Sequence, residues 1–221
     1  MRAVSGRLTL PLALAGFAAF AHAAIDLPAQ GKALFAAQAE PIGSGETSVR
    51  RGAFDTTVSL EGEGLDLPYT LRVARNGRLF ERSFTFGLKA EVLWAPDGSR
   101  FAITGSTEGA NVRFHTAIVT LADDTLGWID LTPSIEQAFG HPVKCESPEP
   151  PNVAAVTWRS NRRLIVAAQI VNHLNCDSVG AFTAYEVNAV TGHVEHTYDQ
   201  LDATRRWRAS LGTALLDLHK D

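Results

Sequence analysis

One pattern occurs twice in this chain: a β-rich run ending on tryptophan, a tight turn, and a second β-rich run that leads into two more. The first copy is Glu91-Val92-Leu93-Trp94, the turn Ala95-Pro96-Asp97-Gly98 and Phe101-Ala102-Ile103-Thr104, with further strand candidates at Val112 to Leu121 and Leu126 to Leu131. The second is Ala154-Ala155-Val156-Thr157-Trp158, the short loop Arg159-Ser160-Asn161 and Leu164 to Val171, followed by Gly180 to Val187 and Gly192 to Tyr198. Each copy reads as a four-stranded antiparallel meander. A unit of this kind cannot bury its faces alone, so its repeats must stack on one another. The chain is therefore expected to be mostly β, without the alternation of strands and long helices that a parallel sheet requires.

Turn chemistry supports the strand boundaries. Proline fixes φ at the first turn position of Pro96-Asp97-Gly98, Asp bonds back to the backbone, and Gly takes the left-handed conformation. Tyr69 to Arg75 is joined to the run Arg78 to Phe86 by Asn76-Gly77, the signature of a two-residue hairpin. In the second of these runs Phe80, Phe84 and Phe86 share one face at period two. Residues 50 to 86 are thus a candidate degenerate third blade.

Trp94 and Trp158 stand 64 residues apart, whereas a blade repeat spans about 40 to 45. The excess is read as a short helix near 133–139, with Thr132 as cap, Pro133 in the first turn and Gly140 as stop, followed by a Pro-rich loop from His141 to Asn152. At the end of the chain, Ala203, Trp207, Leu211, Leu215 and Leu218 fall on one helical stripe. This predicts a C-terminal helix over Asp202 to Leu218, packed on a sheet edge.

The stretch Trp94-Ala95-Pro96-Asp97-Gly98-Ser99-Arg100-Phe101-Ala102 resembles the W-S-P-D-G-x-x-I/L-A core of TolB-type, WD40-like β-propeller repeats. Tyr185 to Gly192 is similar to the outer strands of such a blade, which often run into a Thr-Gly turn. The likeness covers about residues 90 to 131 and, more weakly, 153 to 199, where the second copy lacks Pro-Asp-Gly. It implies blades resembling those of a propeller and a role as a protein-interaction platform. Two or three blades do not close a propeller ring, which needs four or more.

The N-terminus reads as an address. Arg2 and Arg7 precede the apolar stretch Leu8 to Phe20, and Ala21-His22-Ala23 gives the small-x-small pattern of a signal peptidase site. Cleavage would leave a single β-rich domain over residues 24 to 221 in the periplasm or outside the cell. An uncleaved anchor is disfavoured, because Leu8 to Ala24 is shorter than the ~20 residues needed to span a bilayer. The whole chain carries 20 Lys and Arg against 24 Asp and Glu, a net of −4. Removing the two N-terminal arginines gives 18 against 24, a net of −6. Generic attraction to nucleic acid or anionic lipid is not expected, and no later segment is apolar enough to form a spanning helix.

Chemistry-bearing motifs are few. No nucleophile elbow, phosphate-binding loop, dinucleotide fingerprint or zincin helix occurs. Glu61, Gly62-Glu63-Gly64 and Asp66 read as an acidic turn without the ligand spacing of a Ca²⁺ loop, and Asp123-Asp124 as a polar hairpin turn. His141 and Cys145, with His173 and Cys176, form two pairs that could complete a tetrahedral zinc site. In an exported protein, a disulfide between Cys145 and Cys176 is the stronger reading and leaves the two histidines as neighbours without a role, so His141, His173, Cys145 and Cys176 are only weak metal candidates. His193 and His196 read as surface or edge residues, Trp94 and Trp158 as equivalent core positions, and Trp207 as an anchor of the last helix. The expectation is an exported, non-enzymatic β-repeat domain that binds a partner, such as another envelope protein, needs no cofactor and uses the His141 to Asn152 loop as a contact. The alternatives are a hydrolase whose site forms only in three dimensions, and a His/Cys metal-binding protein.

Overall fold

The computed structural model describes residues 33–43, 47–50, 55–62, 69–84, 89–106, 113–122, 125–140, 149–171 and 178–216. In chain order the strands are β1 (Glu40–Gly43), β2 (Thr47–Arg50), β3 (Thr56–Glu61), β4 (Tyr69–Arg75), β5 (Arg78–Phe84), β6 (Lys89–Trp94), β7 (Arg100–Ser106), β8 (Phe114–Leu121), β9 (Leu126–Asp130), β10 (Asn152–Ser160), β11 (Arg163–Gln169), β12 (Phe182–Asn188) and β13 (Val194–Tyr198). They form a first sheet β2-β3-β4-β5, a middle sheet β1-β6-β7-β8-β9 and a last sheet β10-β11-β12-β13. Adjacent strands pair antiparallel throughout. Both expected meanders are present, and residues 47–84 form the degenerate third. Sequence reading missed β1, which adds a fifth strand beside β6.

The turns follow from their residues. Asn76 and Gly77 have φ of 50° and 75°, which closes the β4–β5 hairpin with Arg75 opposite Arg78. Gly98 takes φ 70°, and its N–H donates to Ala95 O at 2.9 Å. Asp97 Oδ1 accepts from Ser99 N, also at 2.9 Å. In the last sheet Ser160 still belongs to its strand, so the turn is Asn161-Arg162 rather than Arg159 to Asn161.

The sheets stack in a row. Val58, Leu60, Leu71 and Val73 of the first sheet meet Val92, Phe101, Ile103 and Val119 of the middle one. On its other side, Leu93, Ala102 and Ile118 meet Val153, Leu164, Val166, Tyr185 and Val187 of the last sheet. Trp94 packs partly buried in the first of these interfaces and Trp158 in the second, so each tryptophan faces the preceding sheet. Trp158 Nε1–H donates to Leu93 O at 2.9 Å, which satisfies the indole donor. A buried hydroxyl network fixes the register between these two sheets. Ala155 N–H donates to Thr104 Oγ1 at 3.0 Å, Thr104 Oγ1 lies 2.9 Å from Thr116 Oγ1, and Thr116 donates to Val153 O at 2.8 Å.

Helix α1 (Thr132–Phe139) lies near the predicted place and stops at Gly140, φ 63°. Thr132 does not cap it. Its hydroxyl accepts the N–H of Thr116 at 3.1 Å instead, drawn to an otherwise buried donor of the middle sheet.

The C-terminal segment departs from its predicted form. Helix α2 (Gln200–Trp207), capped by Asp199, gives way to a 3₁₀ turn at Arg208–Ser210 and to the short helix α3 (Thr213–Leu216). The expected continuous helix is broken because Leu211 pairs with Ala36, while Gly212 N–H donates to Phe35 O at 2.8 Å and Ala214 N–H to Leu34 O at 2.9 Å. A Cβ on Gly212 would lie 2.6 and 2.7 Å from the carbonyl carbons of Leu34 and Phe35, so only glycine allows this approach. The apolar stripe still serves its purpose. Ala203, Trp207, Leu211 and Leu215 pack with Phe35 against Ile165, Ala167, Phe182 and Ala184. They cover the outer face of the last sheet, not its edge.

Candidate functional site

The apolar face under α2 carries one acid. Glu186 follows Phe182 and Ala184 at period two on β12, and its side chain is 0% exposed. Burying a carboxylate among apolar side chains is costly unless charge and hydrogen bonds compensate. Here Arg159 Nη1 donates to Oε2 at 2.7 Å, Tyr198 Oη donates to the same oxygen at 2.9 Å, and Arg163 Nη1 lies 3.3 Å from Oε1. Register explains the convergence: Ile165 sits opposite Glu186 and Tyr198 opposite Ala184, while Arg163 lies two residues before Ile165 on the same face. Arg159 sits in β10 at a register shift between Trp158 and Ser160, a bulge that interrupts the regular pairing there.

The cluster continues onto α2. Trp207 meets the Tyr198 ring edge-on with centroids 4.9 Å apart, and the Arg206 guanidinium stands 5.2 Å above that ring. Burial alone would raise the Glu186 pKa, but the hydrogen bonds from Arg159 and Tyr198 and the nearby guanidinium charges hold it below the usual carboxylate range. Tyr198 is pushed upward by burial and by its bond to Glu186, and Arg159 is held more firmly protonated by the same carboxylate. Glu186 is anionic at neutral pH, Arg159 cationic and Tyr198 a neutral donor.

A second buried acid lies in the middle sheet. Glu91 accepts the backbone N–H groups of Leu34 and Phe35, tying the N-terminal segment to β6. Burial is the dominant influence and raises its pKa against the lowering effect of these bonds. Its role is to latch the segment that covers the last sheet.

The sequence-predicted candidates fall as follows. His141, Cys145, His173 and Cys176 lie outside the described residues, as do Asp123-Asp124, Glu63, Gly64, Asp66 and the leader, 1–23. Of the Pro-rich loop, Glu149–Asn152 is described, and Asn152 Oδ1 accepts from Phe114 N at 3.1 Å. Glu61 is engaged in an ion pair with Arg72 on the outer face of the first sheet. His193 and His196 are exposed, His196 on the edge strand β13, as expected. Among the described residues, no group of three or more His, Cys, Asp or Glu is placed to hold a metal ion, and no helix is long and apolar enough to cross a membrane. Sequence reading overlooked Arg159, Arg163, Glu186 and Tyr198. The available signal was Glu186 itself, a charge that follows apolar Phe182 and Ala184 at period two.

No protein-family model matches the chain, and no curated protein does. Among solved structures, the acylaminoacyl peptidase of Pyrococcus horikoshii is similar over 72% of this chain, with 10% sequence identity and a TM-score of 0.38. The match takes in 25% of the peptidase chain, so this chain spans a minor part of its length.

Proposed function

We propose that this protein is an exported, non-enzymatic binding module of the cell envelope, built from a short row of TolB-type, WD40-like blades. The observation that supports this reading is the Glu186 cluster. Acid–base catalysis works best with a group whose pKa lies near the working pH. In this cluster the carboxylate is driven down, while the phenol and the Arg159 guanidinium are driven up, all away from neutrality. Such fixed charges on rigid strands suit recognition better than proton transfer. Arg, Tyr and Trp are also the residue types that dominate the energetics of protein interfaces. The Cys145–Cys176 disulfide belongs to the same proposal, as a tie between the Pro-rich loop and the segment after β11.

A photo-reactive amino acid placed at exposed His196, in protein produced in its native envelope, tests this reading. The expected result is one discrete cross-linked adduct. The reading fails if no adduct forms and the purified protein turns over a substrate in a hydrolase screen, with turnover lost on one Asp, His or Ser substitution that leaves the fold intact.

A further inference from the structure

We infer that Arg159, Arg163 and Arg206 form a docking site for the side-chain carboxylates of an acidic segment of a protein partner, with Glu186 behind them as a positioning residue. This rests on the binding reading above and names the partner's chemistry. Packing alone gives no reason for a carboxylate at position 186. It lies on a face otherwise built by Ile165, Ala167 and Ala184, and replacing a buried ionic cluster by apolar residues of similar volume is often neutral or stabilising. Glu186 Oε1 is buried without a hydrogen bond, and its ion-pair partner Arg163 Nη1 stands 3.3 Å away. The carboxylate therefore acts mainly by orienting guanidiniums.

Those guanidiniums face solvent. The Arg159 and Arg163 side chains are 46% and 49% exposed, and Arg206 is 55% exposed. Each guanidinium carries five N–H donors in a planar fork, more than Glu186 and Glu195 engage on Arg159 and Arg163 or Asp202 on Arg206, and that fork matches a carboxylate bidentately. Charge points the same way. The segments that build this corner bring six arginines (159, 162, 163, 205, 206 and 208) against Glu186, Glu195, Asp199 and Asp202, a local +2 in a chain of net −4. Tyr198 and Trp207 supply rigid aromatic surface between the arginines, and β13 edges the sheet beside them, so an extended segment can lie along it. That aromatic and arginine composition favours a protein segment over a lipid headgroup or a free phosphate.

Titrating a fluorescein-labelled octapeptide of alternating Asp and Thr, followed by anisotropy, tests the site. Saturable binding that weakens with added salt is expected. The double variant Arg159→Lys, Arg163→Lys keeps the net charge but loses the fork, and should weaken binding at least about ten-fold. Glu186→Gln makes the protein one charge more positive and should nevertheless weaken binding, because the guanidiniums lose their anchor. Equal or tighter binding by Glu186→Gln, or no effect of the lysine pair, would overturn the site in favour of generic attraction. Should Glu186→Gln fail to fold, the lysine pair and Tyr198→Phe carry the test, the latter with a smaller loss expected. Preference for a phosphoserine peptide or for phosphatidylglycerol vesicles would overturn the carboxylate assignment, as would absence of peptide binding. An adduct at position 196 that is indifferent to the lysine pair would sink this site and leave the binding reading standing.

Discussion

The row of sheets ends differently on its two sides. On the first sheet, burial alternates along β3 and β4, with Val58, Leu60, Leu71 and Val73 inward and Thr57, Ser59, Thr70 and Arg72 outward. That outer face is finished by charge, with Arg72 paired to both Glu61 and Glu81. In the last sheet β10, β11 and β12 are buried on both faces along most of their length, and β10 and β11 read as near-continuous apolar runs. Its outer face is covered by two segments distant in sequence, residues 34–36 and 200–216. Among the described residues, the row is thus polar on one outer face and covered by other parts of the chain on the other.

Breaking the cap should cost most. Phe35 is 1% exposed and stacks edge-on with Phe114, ring centroids 4.7 Å apart, so Phe35→Ala should destabilise the fold by about 4 kcal/mol. Chemical denaturation of the purified protein measures this. Gly212→Val forces its segment away from Leu34 and Phe35 and should cost about 3 kcal/mol, the upper range for overpacking. The same change at Gly77, where an added Cβ meets nothing within 4 Å, should cost only the strain of its positive φ, about 1 kcal/mol.

The two buried acids sharpen the contrast through pH. Glu91 has a folded-state pKa above its unfolded value, so its contribution is present below the unfolded value and is lost as pH rises through the folded one. Glu186 is depressed, so its contribution is present above the unfolded value and is lost as pH falls through the folded one. Thermal scans should show Glu91→Gln gaining on the parent protein as pH rises above about 4.3, the ordinary glutamate value, and Glu186→Gln narrowing its deficit as pH falls below it. Parallel curves for the two variants would contradict the assignment of opposite shifts. At the polar end, Arg72→Ala should leave the thermal midpoint unresolved from the parent, since the ion pairs it breaks are exposed and screened.

Local chemistry made much of this fold legible. Asn76-Gly77 and Pro96-Asp97-Gly98 mark their hairpins by conformational preference alone, and Trp94 and Trp158 mark equivalent places in two meanders. Long-range pairing was not legible. Nothing in Leu211-Gly212 announces that its backbone will bond to Phe35, so a continuous helical stripe was the natural reading, and β1 is too short to signal its place beside β6. The Glu186 cluster was half legible. An acid in an apolar alternation is visible in the sequence, but Arg159, Arg163 and Tyr198 reach it only through strand register and a bulge.

Hydrogen exchange of the native protein tests most directly the claim that residues 34–36 and 200–216 are an integral cap on the last sheet. The amides of Ala37, Gly212 and Ala214 donate to Ser210, Phe35 and Leu34 carbonyls across the junction of these two segments. If the cap is part of the cooperative fold, these amides exchange as slowly as those of β11 and β12, opening only with global unfolding. Fast exchange at all three while β11 and β12 stay protected would show that the last sheet folds with its outer face uncovered, and would contradict the account.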